Sequence, residues 1–146
     1  MRILGIDFGT KRIGIAVSDP LGFTAQGIST LEKGKTFRND IENLKEIIEK
    51  YEGIREIVVG LPKKMSGEIG IAAQEVLKFV EALKKYFNNI EIKTWDERLT
   101  SAEANKFFAG ANISEKKRRK IIDKTAAVLI LQGYLDSIRI ENHNNL

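Results

Sequence analysis

The stretch Ile3-Leu4-Gly5-Ile6-Asp7-Phe8-Gly9-Thr10 opens the chain with an apolar strand pattern that one carboxylate, Asp7, interrupts. A short, almost continuous apolar run predicts a strand that is buried on both faces, as in a sheet covered by helices. Burying an isolated carboxylate costs several kcal/mol unless a cation or hydrogen-bond donors compensate it. We therefore expect a positive charge beside Asp7.

Other acidic residues are available to share such a cation. Asp96 and Glu97 come directly after the strand-like residues 90–95, and Asp123 lies in the predicted last helix. Three carboxylates from distant segments are the minimum for a divalent-metal site made of oxygen ligands, with water and substrate phosphate completing the coordination. The pattern indicates a hydrolytic metal site, in which Asp96 is either a fourth, outer ligand or a plain loop residue.

The composition favours one domain and excludes several kinds of chemistry. With 146 residues and 42% hydrophobic content, the chain can bury a single core, which we assign to residues 1–140, with 141–146 as a frayed tail. The absence of cysteine excludes disulfides, thiol catalysis and cysteine-based zinc sites, and the only histidine, His143, lies in the tail. No apolar run approaches the roughly 20 residues that cross a bilayer, and no signal-peptide pattern is present, so we expect a soluble cytoplasmic protein without a membrane partner.

Basic residues are concentrated locally although the net charge is only +4. The densest run, residues 116–120, lies on a helix predicted over about residues 114–138. Helical spacing places Lys116, Arg119, Lys120 and Asp123 on one face, which continues into apolar residues. This arrangement suits a metal ligand next to a phosphate-bearing substrate. The alternative is a solvated helix end in which Asp123 pairs with Arg119 or Lys120 one turn away.

The hydrophobic periodicity predicts the element order β-β-β-α-β-α-β-α. Strands over residues 2–8 and 12–18 form a hairpin, a third strand lies within 23–31, and Thr36 is the N-cap of the first helix. Strands over 55–60 and 90–94 alternate with a helix over about 72–87, and residues 100–103 have the form of a capping box before a short helix. The fold class is α/β, a mixed five-stranded sheet with helices on both faces. Right-handed crossovers bring Asp7, Asp96 and Glu97 to the same end of this sheet.

Four sequence motifs lie in order along nearly the whole chain. They are Gly5-Ile6-Asp7-Phe8-Gly9-Thr10-Lys11-Arg12-Ile13-Gly14-Ile15-Ala16, Val59-Gly60-Leu61-Pro62, Asp96-Glu97-Arg98-Leu99-Thr100 and Asp123-Lys124-Thr125-Ala126-Ala127. These motifs resemble those of the YqgF family, also called RuvX. The resemblance implies a ribonuclease H-like fold with an acidic metal site at Asp7, Glu97 and Asp123. Family members are described as Holliday junction resolvases and as nucleases that mature the 5′ end of the pre-16S ribosomal RNA.

The prediction is a divalent-metal-dependent nuclease, an endo- or exonuclease that hydrolyses phosphodiester bonds in structured nucleic acid. Its catalytic metal ligands are Asp7, Glu97 and Asp123, its cofactor is Mg²⁺ or Mn²⁺, and it needs no nucleotide cofactor. The predicted substrate is the 5′ end of pre-16S rRNA, and the alternative is branched DNA cut by a Holliday junction resolvase. The candidate contacts to substrate phosphates are Arg12, Lys63, Lys64, Arg98, Lys116, Arg119 and Lys120.

Some of these basic residues have a second interpretation. Arg12 and Arg98 are equally explained by pairing with nearby acids. Lys63 and Lys64 stand where many relatives carry Leu-Asn, which is either an added phosphate contact or a harmless surface change.

Two other functional classes compete with the nuclease. The opening motif also resembles the first phosphate motif of the actin and sugar-kinase superfamily, but such ATPases need two domains of this type and 146 residues hold one. A nucleic-acid-binding module that keeps the fold without cutting is the second rival, although a pure binder would gain by losing acids that face phosphates. The protein is expected to be a monomer or a homodimer, and resolving a junction favours a two-fold dimer.

Overall fold

The computed structural model describes residues 1–98 and 115–144, with side chains for 1–98, 126–139 and 141. The strands are β1 (Arg2–Phe8), β2 (Arg12–Ser18), β3 (Ala25–Glu32), β4 (Ile54–Leu61) and β5 (Glu91–Asp96). The helices of the described ranges are α1 (Phe37–Lys50), α2 (Ile71–Tyr86) and α3 (Glu115–Asn144). This order confirms the predicted β-β-β-α-β-α-β-α arrangement. None of these helices combines the length and apolar character needed to cross a membrane.

The strands form one mixed sheet in the order β3-β2-β1-β4-β5. β1 and β2 are the predicted antiparallel hairpin, whose turn is closed by the Gly9 N–H donating to the Arg12 carbonyl at 2.9 Å. β4 is parallel to both β1 and β5, as right-handed crossovers through α1 and α2 require. The carboxyl ends of β1, β4 and β5 therefore lie at the same edge of the sheet.

Helices α1 and α2 cover one face of the sheet. Alternate residues of β1, among them Leu4, Ile6 and Phe8, are buried in a core with the apolar stripes of these two helices. The Phe8 ring stacks on Phe79 of α2 with centroids 4.3 Å apart, and it meets Phe37 of α1 edge to face. This aromatic contact anchors the carboxyl end of β1, immediately after Asp7.

Helix α3 covers the opposite face and lies very close to β1. Ala127, Leu131 and Leu135 are buried there, and a methyl group at Gly5 would lie only 2.6 Å from the Leu131 Cβ. Ala127 packs near Gly14, the partner of Asp7, whereas Ile138, in the later part of the helix, packs in a cluster that includes Ile3. The helix therefore runs antiparallel to β1, and its amino-terminal part points toward the Asp7 edge.

Two of the predicted boundaries shift by more than one residue. β5 extends through Asp96, because the parallel ladder with β4 continues to the pair Leu61 and Asp96, so Asp96 is a strand residue and not a loop residue. α3 continues past position 138 to Asn144, since no glycine or proline follows Gly133 to end it, and positions 141–144 of the expected tail are helical. The N-cap at Thr36 is confirmed, with its hydroxyl accepting the Asn39 N–H at 3.2 Å. The capping box over residues 100–103 lies outside the described residues.

Candidate metal centre

Asp7 occupies the face of β1 that α3 covers, close to the carboxyl edge of the sheet. Its neighbours Ile6 and Phe8 are buried in the core on the other face, so strand alternation directs Asp7 toward α3. Its partner in the hairpin is Gly14, where a methyl group would lie 3.6 Å from the Asp7 Cβ. Asp7 is half-buried, in a strand that is otherwise mostly apolar. Asp7 therefore lies within β1, in the apolar strand that the sequence predicted, with its side chain partly desolvated.

Glu97 follows β5, two strands away from Asp7, and its side chain crosses β4 to reach it. The crossing point is Gly60, where a methyl group would lie 2.4 Å from Oε1 of Glu97 and 2.5 Å from Cδ1 of Ile130. A hydrogen bond joins the Glu97 and Asp7 carboxyl groups. A residue with a side chain at position 60 would occupy the space that the Glu97 carboxyl uses. Gly60 is thus what permits two carboxyls from non-adjacent strands to meet.

The electrostatics of this pair favour a positive charge beside it. Burial, the negative charge of Asp7 and the hydrogen bond to Asp7 together raise the pKa of Glu97 to about 7. Two carboxylates that meet in a partly desolvated site repel each other, and they share a proton when no other cation is present. A divalent cation with oxygen ligands compensates the same charge without the proton. The residues present therefore fit a hard metal ion.

The third predicted ligand is only partly described. Position 123 lies on α3, one turn before Ala127 and on the same side of the helix, toward the Asp7 edge. The Asp123 side chain lies outside the described part of the structure. Among the described residues, no group of three His, Cys, Asp or Glu side chains that would hold a metal is present. The described part of the candidate centre consists of Asp7 and Glu97.

Asp96 pairs with Arg98 in a geometry that uses both carboxylate oxygens. Nε of Arg98 donates to Oδ1 at 3.0 Å and Nη2 donates to Oδ2 at 2.6 Å. These hydrogen bonds hold the pKa of Asp96 below its usual range, and the nearby charge of Lys63 adds to the effect. The remaining terminal nitrogen of Arg98 donates to the Met65 carbonyl at 3.3 Å. Arg98 therefore pairs with a nearby acid, which is the second of the two interpretations given for it above. It also connects the loop after β4 to the residue next to Glu97.

The other basic candidates are spread around the same edge. Arg12 begins β2 and lies 3.6 Å from Glu32, with both side chains largely exposed, so this ion pair contributes little to stability. Lys63 lies close enough to Asp96 to affect its pKa, and the Lys64 chain lies over Gly70. Helix α3 carries the positions of Lys116, Arg119 and Lys120, whose side chains lie outside the described residues.

Comparison with known proteins now identifies the family. A family profile described as "RuvX: Holliday junction resolvase" matches residues 1–137. The chain belongs to the RuvX family. The resemblance read from the four sequence motifs is thereby confirmed.

Two curated relatives of this RuvX chain cover almost its whole length. The protein named "Putative pre-16S rRNA nuclease" from Clostridium acetobutylicum is 56% identical over 94% of the chain and 100% of its own length. The protein of the same name from Clostridium botulinum strain Hall is 54% identical over 94% of the chain and 98% of its own length.

Solved structures with low sequence identity share the RuvX fold. RuvC from Thermus thermophilus, solved with a Holliday junction substrate, has a TM-score of 0.54 at 13% identity and covers 95% of this chain and 96% of that one. The Fowlpox virus resolvase, solved with Holliday junction DNA, has a TM-score of 0.51 at 16% identity and covers 94% and 99%. These likenesses confirm the predicted ribonuclease H-like fold.

Sequence reasoning missed two structural features of the RuvX site. Gly60 lies within one of the four motifs, but the sequence analysis assigns it no role. A glycine inside a β-branched strand is a signal that another group approaches closely. Sequence reasoning also gave no indication that Arg98 would bind the Met65 carbonyl, because that contact joins residues 33 positions apart in a loop without regular periodicity.

Proposed function

We propose that this protein is a divalent-metal-dependent nuclease that hydrolyses phosphodiester bonds in structured nucleic acid. The observation that carries the proposal is the meeting of Asp7 and Glu97 over Gly60 at the carboxyl edge of the sheet. Open α/β sheets bind their ligands at this edge. A pair of carboxyls that share a proton has little use in a protein that only binds phosphates, because it repels them.

Asp7, Glu97 and Asp123 would hold Mg²⁺ or Mn²⁺. When bound, such an ion supplies an activated water and stabilises the negative charge that develops on the phosphate. Asp7 and Glu97 contribute by giving up their shared proton and presenting carboxylate oxygens from rigid strand ends. Arg98 contributes by fixing Asp96, which keeps the backbone before Glu97 in place.

The proposed substrate is the 5′ end of the pre-16S rRNA. The support is the name of the two clostridial relatives, which are more than half identical to this chain over nearly all of it. The alternative substrate is a Holliday junction, supported by the description of the family profile that matches residues 1–137. Both substrates present phosphates to the carboxyl edge of the sheet. Because phosphate contacts carry no sequence information, the same metal centre can cut either substrate.

Cleavage of labelled substrates with Mg²⁺ or Mn²⁺ tests the proposal. The substrates are a pre-16S rRNA fragment, a four-way DNA junction and plain single strands. We expect cleavage by the unmodified protein, and none by Asp7→Asn, which keeps the shape of the side chain but removes its charge. Asp136→Asn is the matched control, because Asp136 lies on α3 far from Asp7, paired with Arg139 and Gln132. Absence of cleavage with tight binding retained would instead support a non-cutting module.

A further inference from the structure

The loop after β4 contains a tight turn with an apolar side chain at its tip. The Gly67 N–H donates to the Lys64 carbonyl at 2.8 Å, and the Lys64 N–H donates to the Glu68 carbonyl at 3.1 Å. Gly67 has a φ of 90°, a conformation that favours glycine. Met65 lies in the middle of this turn and is 89% exposed. Turn positions mostly carry polar residues or glycine, and an exposed apolar patch bordered by polar residues often marks a binding site.

The turn is held against the candidate metal centre. The guanidinium that binds Asp96 also donates to the carbonyl of Met65 itself, so the backbone of this residue is fixed while its side chain stays in solvent. Arg98 is the neighbour of Glu97, and the loop begins directly after the strand that Glu97 crosses. Whatever contacts the Met65 side chain is therefore close to the edge where a phosphate would be cut.

The surroundings of the turn combine further apolar surface with positive charge. Ile69 and Ile71 are also exposed, and the exposed fraction of Ile71 is 83%. The aliphatic part of the Lys64 side chain lies against Gly70, the residue between these two isoleucines. Lys63 adds a second cation near Asp96. Apolar surface bordered by lysines matches a nucleotide, which offers a base with apolar faces and a phosphate with negative charge.

We propose that Met65 is a positioning residue that inserts beside an unstacked base of the nucleic acid, next to the phosphate at the metal centre. This inference rests on the proposed function and specifies how its substrate is held. Methionine is suited to the role, because its flexible and polarisable thioether adapts to the face of any base. Apolar side chains that enter a base step partly unstack it, and the pinned Met65 backbone reduces the entropy lost on binding.

A binding assay without metal tests the inference independently of cleavage. The probe is an RNA hairpin with a single-stranded 5′ extension, carrying the fluorescent adenine analogue 2-aminopurine at the junction of duplex and single strand. Unstacking of this base raises its fluorescence. We expect the rise with the unmodified protein, its loss together with about tenfold weaker binding for Met65→Ala, and its recovery for Met65→Leu.

Leu21→Ala is the matched control. Leu21 is 77% exposed, but its loop joins β2 to β3 at the opposite end of the sheet, so this variant should behave as the unmodified protein. An unchanged fluorescence rise in Met65→Ala, or no rise in any protein, would overturn the inference. Cleavage assays with Mg²⁺ on the same hairpin and on a four-way DNA junction separate the two proposals. A fluorescence rise with neither substrate cut refutes the nuclease and keeps the Met65 proposal, whereas cleavage without the rise does the reverse.

Discussion

Gly60 is the residue on which the geometry of the acidic pair depends. A methyl group there would lie 2.4 Å from Oε1 of Glu97 and 2.5 Å from Cδ1 of Ile130, so the Glu97 carboxyl must leave its position beside Asp7. We expect Gly60→Ala to lower kcat/KM about 100-fold, because a shift of about 1 Å in a catalytic group has effects of this size. The steric conflict should also lower the free energy of unfolding by about 1–3 kcal/mol. Cleavage kinetics and urea denaturation of the same preparation measure both effects.

Gly14 supplies the control for this substitution. It lies on the same face of the sheet as Asp7, but a methyl group at position 14 would meet Ala127 at 3.5 Å, an ordinary van der Waals distance. Gly14→Ala should therefore retain cleavage within a few-fold. Equal losses in both variants would mean that any added bulk on this face is harmful and that Gly60 has no special relation to Glu97.

Glu97 gives the metal-free protein an unusual dependence on pH. Its pKa is raised from 4.5 to about 7, so between these values the folded state holds a proton that the unfolded state has released. The free energy of unfolding must then fall as the pH rises from about 4.5 to 7, the opposite of the trend for a salt-bridged acid. We expect the melting temperature in EDTA to show this decline. Saturating Mg²⁺ should oppose it, since the ion binds the deprotonated pair and stabilises the folded state.

Glu97→Gln is the matching variant for the pH experiment. The amide keeps the size of the side chain but does not titrate, so the decline between pH 4.5 and 7 should be absent and the effect of Mg²⁺ reduced. The decline would contradict our assignment if it persisted in this variant, because another group would then carry the proton.

At the scale of elements, the packing of helix α3 on β1 determines where position 123 lies relative to Asp7. It lies against β1 closely enough that a methyl group at Gly5 would be 2.6 Å from the Leu131 Cβ and 3.2 Å from the Ala127 carbonyl oxygen. These atoms belong to the helix framework, so Gly5→Ala must displace the helix itself. We expect a loss of about 1–3 kcal/mol in the free energy of unfolding. We also expect a loss of cleavage, because the same helix carries position 123 past Asp7.

A second readout separates displacement of the helix from simple destabilisation. If Gly5→Ala only lowers stability, its cleavage rate well below the melting temperature should equal that of the unmodified protein. A lower rate under those conditions, together with weaker Mg²⁺ stabilisation, indicates that α3 has moved relative to Asp7. An unchanged rate and unchanged stability would contradict the close packing of α3 on β1.

The elements were the part of the structure that the sequence predicted best. The apolar run around Asp7 and the helical repeats of α1 and α2 determine which faces are buried, and these patterns follow directly from side-chain spacing. The predicted fifth strand ends at Thr94, whereas the ladder with β4 extends β5 to Asp96 by tertiary pairing. The crossing of Glu97 over Gly60 and the contact of Arg98 with Met65 depend on distances between strands, which no local pattern contains.

At the scale of the whole molecule, the substrate determines how many metal centres one cleavage event requires. Processing the end of one RNA strand needs a single metal centre, whereas resolving a four-way junction needs two centres related by two-fold symmetry. In the described ranges, the exposed Leu21 and Phe23 lie at the end of the sheet opposite to Met65, so these apolar side chains do not form one continuous seam for a partner. A single centre is therefore sufficient for the proposed RNA substrate.

We therefore expect a monomer by light scattering at the concentrations used for cleavage, with a rate on pre-16S rRNA that rises in proportion to protein concentration. On a four-way junction, the same monomer should cut one strand at a time, because a single centre cannot reach two symmetric phosphates. The measurement is the ratio of singly to doubly cut junctions on a circular substrate within one binding event. A dimer that produces paired symmetric cuts faster than it cuts the RNA would contradict the RNA assignment and identify the junction as the substrate, with the same acids performing the chemistry.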